Sequence, residues 1–299
     1  MKNPLVSVVI LTWNRKDDLL ETITELKEST YAPIEIIVVD NGSNDGTQEE
    51  INEKFSEVNF IRLEKNVGIA GYNIGMKKAR GEYVVLLDSD SFPDRKAIER
   101  MVKIFESDSL IGAVAFDVHR NQPLTLSLSP EGRGEKEGFD LSKCKDVYGY
   151  NGAGVGIRRE CLEKAGYLFE PYFLYFNEQD HAFRILQAGY KIKFHPDIIA
   201  YHKTSTASRV SSSAPYFYTR NLLWMIWRFY PISYALSATF LLFFHASLST
   251  LQQRTLIYIK AIMDAIKGFT IVLSNRMVIN GEIIKSVRIP IRWGFTAYK

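Results

Sequence analysis

Residues 34–47 read IEIIVVDNGSNDGT, an apolar run broken only by Glu35 that goes straight into a turn of Asp, Asn, Gly and Ser. Such a short, β-branched, non-alternating run reads as a strand buried on both faces. The same pattern repeats outward in both directions. Val6–Leu11 runs into Thr12-Trp13-Asn14-Arg15, Val58–Leu63 is a third strand, Tyr83–Leu87 ends in Asp88-Ser89-Asp90-Ser91, and Ile111–Phe116 follows. Helical spacing lies between them, at Asp17–Ser29 (through Leu19, Leu20, Ile23 and Leu26), Thr47–Phe55, Ile69–Ala79 and Lys96–Phe105. Buried strands separated by helices predict an α/β chain with a mostly parallel central sheet. In such sheets ligands bind beyond the carboxyl ends of the strands.

Beyond this core the pattern loosens. Residues 119–147 read as a loop or loose hairpin over the site, and Tyr148–Ile157 is Gly-rich. Helices are expected at Arg158–Ala165 and Asp180–Ala188, with a strand at Tyr190–Phe194. The charge is uneven. The chain carries +3 in total, yet from Pro215 onward ten Lys/Arg against two Asp/Glu leave +8. This asymmetry divides the chain into a body at 1–214 and a basic helical region at 215–299 with an anionic partner. Cys144 and Cys161 have no metal or redox spacing, so a reduced, cytoplasmic compartment is expected. The first apolar run ends in Asn-Arg-Lys-Asp-Asp without a small-residue cleavage site, unlike a signal peptide.

Three strand ends carry carboxylates or amides on one rim. Asp88 and Asp90, at i and i+2, suit a hard divalent cation, Mg2+ or Mn2+, set against a diphosphate; a turn or cap needs the same residue types. His202 is either a further ligand or a surface or hydrogen-bonded histidine. Glu178, in Tyr175-Phe176-Asn177-Glu178-Gln179-Asp180, is either a general base for a hydroxyl or an acid at a helix start. Phe173, Tyr175 and Phe176 read as a wall for a sugar or as core. Asn66-Val67-Gly68 opens a helix, where phosphate is favoured. There is no P-loop and no G-x-G-x-x-G after the first strand, and Asn151–Gly156 sits too late in the chain to be one. The basic residues lie among apolar runs rather than in a stripe, so nucleic acid is not an expected partner.

These stretches resemble family 2 glycosyltransferases, in particular the rhamnosyltransferase-like group. The resemblance is carried by VSVVILTWNR, IEIIVVDNGSNDGT, EKNVGIAGYNIGMKKARGEYVVLLDSD, the long run GYNGAGVGIRRECLEKAGYLFEPYFLYFNEQDHAFRILQAGYKI, and the His of AYHKTST. It spans roughly residues 5–210. It implies a GT-A fold, a dTDP-, UDP- or GDP-linked sugar donor, a divalent metal and inversion at the anomeric carbon. By the same resemblance Thr12, Asn14, Arg15, Asp40, Asn41, Gly42, Asn66, Gly68, Asn73, Asp88 and Ser89 contact the nucleotide, with Asp40 on the base. Asp90 and His202, with Asp88, hold the metal. Asn151, Gly152, Ala153, Tyr175 and Asn177 meet donor or acceptor sugar, and Glu178 is the catalytic base. Two departures stand out: N-E-Q-D replaces the family's E-D-x-D, and Leu168-Phe169-Glu170-Pro171 replaces a Gly-Phe-Asp-Glu turn.

Phe229–Gln253 holds no charged residue, and Leu256–Leu273 has Lys260, Asp264 and Lys267 on one helical face. Either these helices pack on the catalytic domain, or they form a hairpin in the cytoplasmic leaflet of an anionic membrane, near a saccharide or lipid-linked saccharide acceptor. Two other functions share the fold: a sugar-nucleotide nucleotidyltransferase, which would need a basic Gly-rich triphosphate loop after the first strand, and a non-catalytic nucleotide- or sugar-binding protein.

Overall fold

The computed structural model describes residues 3–120, 139–203 and 214–286. The chain divides into two compact units, Met1–Glu170 with His181–Ser208, and Pro171–Asp180 with Arg209–Lys299.

The first unit is a nine-stranded sheet flanked by helices. Its strands are β1 (Val6–Thr12), β2 (Ile34–Asp40), β3 (Asn59–Arg62), β4 (Tyr83–Asp88), β5 (Ser91–Pro93), β6 (Ile111–Arg120), β7 (Lys145–Val147), β8 (Val155–Arg158) and β9 (Lys191–His202). They are ordered β3-β2-β1-β4-β8-β6-β9-β5, with β7 on β9. The first four in that order are parallel, as are β6 and β9, while β8 runs antiparallel between β4 and β6. The apolar runs that predicted two-sided burial are buried, with Val8, Ile10, Val38 and Val85 fully enclosed. Helices α1 (Lys16–Lys27), α2 (Thr47–Lys54), α3 (Ala70–Lys78), α4 (Ala97–Ser107) and α5 (Arg159–Ala165) cover it. α3 seats closely because it presents glycine: a Cβ on Gly75 would lie 2.4 Å from Val9 Cγ1.

Two sequence-predicted boundaries move. The helix placed at Asp180–Ala188 is α6, Asn177–Gln187, so Asn177, Glu178 and Asp180 all lie in its first turn. The strand placed at Tyr190–Phe194 continues as β9 through Pro196 to His202, because it has partners in β6, β7 and β5 along its length. Most of the expected loop at 119–147 lies outside the described residues.

The second unit is helical: α7 (Ala214–Phe229), α8 (Ile232–Gln253), α9 (Ile257–Lys267), α10 (Phe269–Ser274) and α11 (Gly281–Ser286). Pro231 separates the first two, as a residue without an N–H and with fixed φ does. The single amphipathic helix expected at Leu256–Leu273 is two helices. The chain breaks at Gly268, where a Cβ would stand 2.4 Å from Trp224 Cζ2. The polar face read there is partly internal, since Tyr216 donates to Asp264 Oδ2 at 2.9 Å.

Candidate functional site

The parallel register puts the sequence-predicted residues on one rim of the sheet. Thr12 of β1 lies opposite Asp40 of β2, and Leu11 opposite Asp88 of β4. Asp40 Oδ1 accepts from the Ser43 backbone N–H at 3.0 Å and from the Ser43 hydroxyl. Its Oδ2, like Thr12 Oγ1, is buried with no hydrogen-bond partner among the described residues. A buried, unpartnered acceptor is costly in a fold that has no use for it.

The turns around them are tied together. Asn14, at φ +51°, donates its N–H to Ser43 Oγ at 2.8 Å, and its Oδ1 accepts from Asn44 N–H at 2.9 Å. Asn41 donates from Nδ2 to Gly68 O at 3.1 Å and accepts from Val67 N–H at 3.3 Å, so it braces the second loop against the third. Asn66 Oδ1 accepts from Gly68 N–H at 2.8 Å, and Gly68 sits at φ +63°, a conformation glycine adopts freely. Gly42 is also left-handed, φ +77°, and a Cβ there would press on Leu63 O at 3.1 Å.

Asp88, Asp90 and His202 come together, their ligand atoms all within 4.8 Å of one another. His202 Nε2 lies 3.2 Å from Asp90 Oδ1 and 3.8 Å from Asp88 Oδ2. The cause is β5, which follows the acidic triplet and pairs antiparallel with the end of β9, setting Ser91 opposite His202. Tyr72 donates to Asp88 Oδ1 at 2.8 Å, and Arg15 Nη1 binds Asp90 Oδ2 at 2.6 Å. Ser89 is buried, and its carbonyl accepts from Thr22 Oγ1 at 2.9 Å. Burial alone would raise the Asp90 carboxyl, but the His202 hydrogen bond and the Arg15 charge outweigh it and hold it at about 2. Two carboxylates and an imidazole suit a divalent ion that accepts oxygen and nitrogen. The His202 Nδ1 is buried with no partner among the described residues, so the ring is held by its Nε2 side.

Other predicted residues are absorbed by the fold. Asn73 is buried; its Oδ1 accepts from Leu168 N–H at 2.9 Å, and Nδ2 donates to Leu168 O at 2.9 Å and Glu170 Oε1 at 3.0 Å. With its amide engaged in this way, Asn73 braces α3 against the turn at Leu168–Glu170. Asn151 Oδ1 accepts from Ala153 N–H at 3.0 Å, shaping the turn through Gly152. His181, unremarked in the sequence, is fully buried; Nε2 donates to Gly166 O at 2.9 Å and Nδ1 accepts from Tyr150 OH at 2.6 Å. Burial and the Arg184 charge push it well below the usual imidazole range, so it stays neutral.

Tyr175, Asn177 and Glu178 belong to the helical unit. Phe173, Tyr175 and Phe176 have φ of +63°, +67° and +66°, three left-handed non-glycine residues within four positions. Each costs on the order of 1–3 kcal/mol and persists only where neighbours impose it. Phe173 stacks on Phe217 of α7 at 5.3 Å between ring centroids, and Tyr175 packs tilted against Tyr218 at 4.4 Å. Glu178 follows in the first turn of α6 with Asp180, which forms a buried ion pair with Arg228 of α7. Sequence reading missed Arg228, Arg220 and Asn221. A signal existed: Arg228 interrupts the apolar run LLWMIWRF, and a buried charge needs a partner.

Residues 7–166, more than half of the chain, match the family described as "Glycosyl transferase family 2". A Haemophilus influenzae "uncharacterized glycosyltransferase" is 33% identical over 130 residues, 41% of this chain and 52% of that protein. An Escherichia coli protein, "UDP-Glc:alpha-D-GlcNAc-diphosphoundecaprenol beta-1,3-glucosyltransferase WfaP", is 34% identical over 109 residues, 36% of this chain and 43% of its own. The chain therefore spans about half or less of the length of these curated relatives. Among solved structures, Staphylococcus aureus TarS 1–349 in complex with UDP-GlcNAc matches with TM-score 0.61 at 17% identity, over 91% of this chain and 84% of that one. The mannosyltransferase PcManGT from Pyrobaculum calidifontis, in complex with GDP-Man and Mn2+, matches with TM-score 0.56 at 20% identity, over 74% and 63%. At these identities the likeness establishes the fold, a GT-A-like α/β fold with a C-terminal helical region.

Proposed function

Because the chain belongs to glycosyl transferase family 2, we propose that it is a divalent-metal-dependent, inverting glycosyltransferase. The observation that carries this reading is the Asp88, Asp90 and His202 group on the same rim as the unpartnered buried oxygens of Thr12 and Asp40. Asp40 Oδ2 is suited to accept an N–H of the base, and Thr12, Asn14, Arg15, Asn41, Gly42, Asn66, Gly68, Asp88 and Ser89 shape the nucleotide cleft. Asp90, His202 and Asp88 would hold the cation, which when bound offsets charge developing on the diphosphate. The imidazole favours an Mn2+-like ion over Mg2+. His202 and Arg15 together keep Asp90 ionised against its burial. Glu178 is the base: it takes the acceptor hydroxyl's proton as that oxygen bonds to the anomeric carbon. The bond from that carbon to the diphosphate oxygen breaks, its electron pair leaves on the nucleoside diphosphate, and the configuration inverts. Asn151, Gly152, Ala153, Tyr175 and Asn177 are the sugar contacts of this reading. The quoted motifs support the rhamnosyltransferase-like group, with a dTDP-, UDP- or GDP-linked donor.

Residues 1–214 would then carry catalysis, and 215–299 would hold the chain to the anionic cytoplasmic face of a membrane. α8 is, among the described residues, the one helix long and apolar enough to cross a membrane. Its small residues Ala235, Ala238 and Ala246 are buried while Leu236, Phe240, Phe244 and Leu251 are exposed, which favours lying in the leaflet over spanning it. An acceptor that is a saccharide or lipid-linked saccharide fits such a position, and the E. coli relative is named for a diphosphoundecaprenol-linked acceptor.

The test is a panel of nucleotide sugars with Mn2+, read by released nucleoside diphosphate. Turnover with at least one donor, abolished by chelation and reduced at least about 100-fold in Asp90→Asn, is expected. Pyrophosphate as product would identify a nucleotidyltransferase instead. Metal-dependent nucleotide binding without turnover of any donor would identify a binding protein.

A further inference from the structure

The turn before α6 is strained, and α7 holds it. Asn221, fully buried, donates from one amide nitrogen toward three carbonyls of that turn, Tyr172 at 3.1 Å, Leu174 at 2.6 Å and Tyr175 at 3.1 Å. An amide Nδ2 has two hydrogens, so these bonds are shared among three carbonyls of one tight turn. Arg220 fixes which way the amide faces: its Nε donates to Asn221 Oδ1 at 2.9 Å. Its Nη2 extends the same grip to Pro171 O at 3.0 Å and Tyr172 O at 2.7 Å. The Arg220 guanidinium lies over the Trp224 ring, 4.5 Å from its centroid, which limits its own freedom. Such a cluster suits an asparagine alone. Aspartate at 221 has no N–H to give, and a hydrophobic residue would leave buried carbonyls without donors.

We propose that Asn221 is a positioning residue: its amide, oriented by Arg220, closes the left-handed aromatic turn Tyr172–Phe176 and thereby fixes where α6 begins and how Glu178 is presented. This rests on the reading of Glu178 as the base. Without the clamp the three left-handed residues relax toward ordinary φ, and the first turn of α6 shifts with them. A base displaced by about 1 Å loses on the order of 100-fold in rate while the nucleotide cleft is untouched.

The experiment measures kcat, KM for donor and metal-dependent nucleotide Kd for the full-length wild type, Asn221→Ala, Glu178→Gln and the double variant, with unfolding temperature recorded for each. Asn221→Ala is expected to lower kcat about 10- to 100-fold with the nucleotide Kd within about twofold of wild type. Glu178→Gln is expected to lower kcat at least about 100-fold. The double variant should be no slower than Glu178→Gln alone, because removing the base leaves nothing to position. Losses that multiply would show that Asn221 acts elsewhere and overturn the proposal. So would a folded Asn221→Ala with wild-type kcat, or one whose loss lies in Kd. If Asn221→Ala does not fold, Arg220→Lys, which keeps the charge but withdraws the Nε donor, takes its place. A kcat loss of at least about threefold at unchanged Kd supports the clamp, and wild-type kcat overturns it. A fully active Glu178→Gln sinks the base assignment itself and is distinguishable from failure of the clamp.

Discussion

At Asp40 one carboxylate oxygen takes two hydrogen bonds from Ser43 while the other is buried with none. That asymmetry says more than the residue's identity does, since Asp is equally common in turns. Cys161 illustrates the opposite case, a reactive atom type made inert. It is fully buried, and burial pushes its thiol from 9.0 up to about 12. Tyr83 and Tyr31 are raised from 10.0 to about 12 in the same way, burial first and neighbouring glutamates second. Between the unfolded and folded values the unfolded chain has lost a proton that the folded chain keeps. Stability from these groups is therefore complete below pH 9 and declines as pH rises toward 12, by up to about 1.4 kcal/mol per pH unit for each group. Urea midpoints measured from pH 8 to pH 11 should fall, and fall less steeply in Cys161→Ala; an equal slope would contradict the burial argument. Asp40 and Asp88 were legible in the sequence because each ends a buried strand, and Asp90 because it follows Asp88 at i+2. The Arg15–Asp90 pair was not, because it joins two different strand ends through space.

At the scale of elements, β5 decides the grouping of Asp88, Asp90 and His202. Its three residues, Ser-Phe-Pro, carry no periodicity, yet their pairing with β9 sets His202 beside Asp90. The long β9 was equally hidden, since His195 and Pro196 interrupt its apolar pattern and only its neighbours complete it. α6 starts at Asn177 rather than Asp180 because the preceding turn is held from α7. The Asp180–Arg228 pair in that packing is buried on both sides. Arg228→Met strands the carboxylate and should cost about 3–5 kcal/mol. Asp180→Asn combined with Arg228→Met should recover most of it, because a neutral pair of similar volume leaves no uncompensated charge. Chemical denaturation of both variants checks this, and a double variant no more stable than Arg228→Met would mean the pair is not the source of the loss.

At the scale of the molecule, large exposed apolar side chains gather on α8 to α10: Phe240 is 75% exposed, Leu251 76% and Leu256 72%. Where exposed apolar side chains are contiguous, they mark an interface. If that interface is an anionic lipid surface, the protein should co-sediment with vesicles containing acidic phospholipid, more weakly as salt rises. Phe240→Glu with Phe244→Glu should leave it in the supernatant at unchanged unfolding temperature, whereas continued sedimentation would argue against lipid. The sequence alone determined the alternation of buried strand and helix, the polar rim, and the contrast between a net acidic body and a basic apolar tail. These follow from local pattern, which burial on one or two faces writes directly into residue order. Tertiary structure alone decided that His202 meets Asp90, that Asn73 and Asn41 brace loops, and that Asn221 closes a left-handed turn. Each of those is a contact between residues distant in the chain, set by strand register and helix packing rather than by any neighbour in sequence.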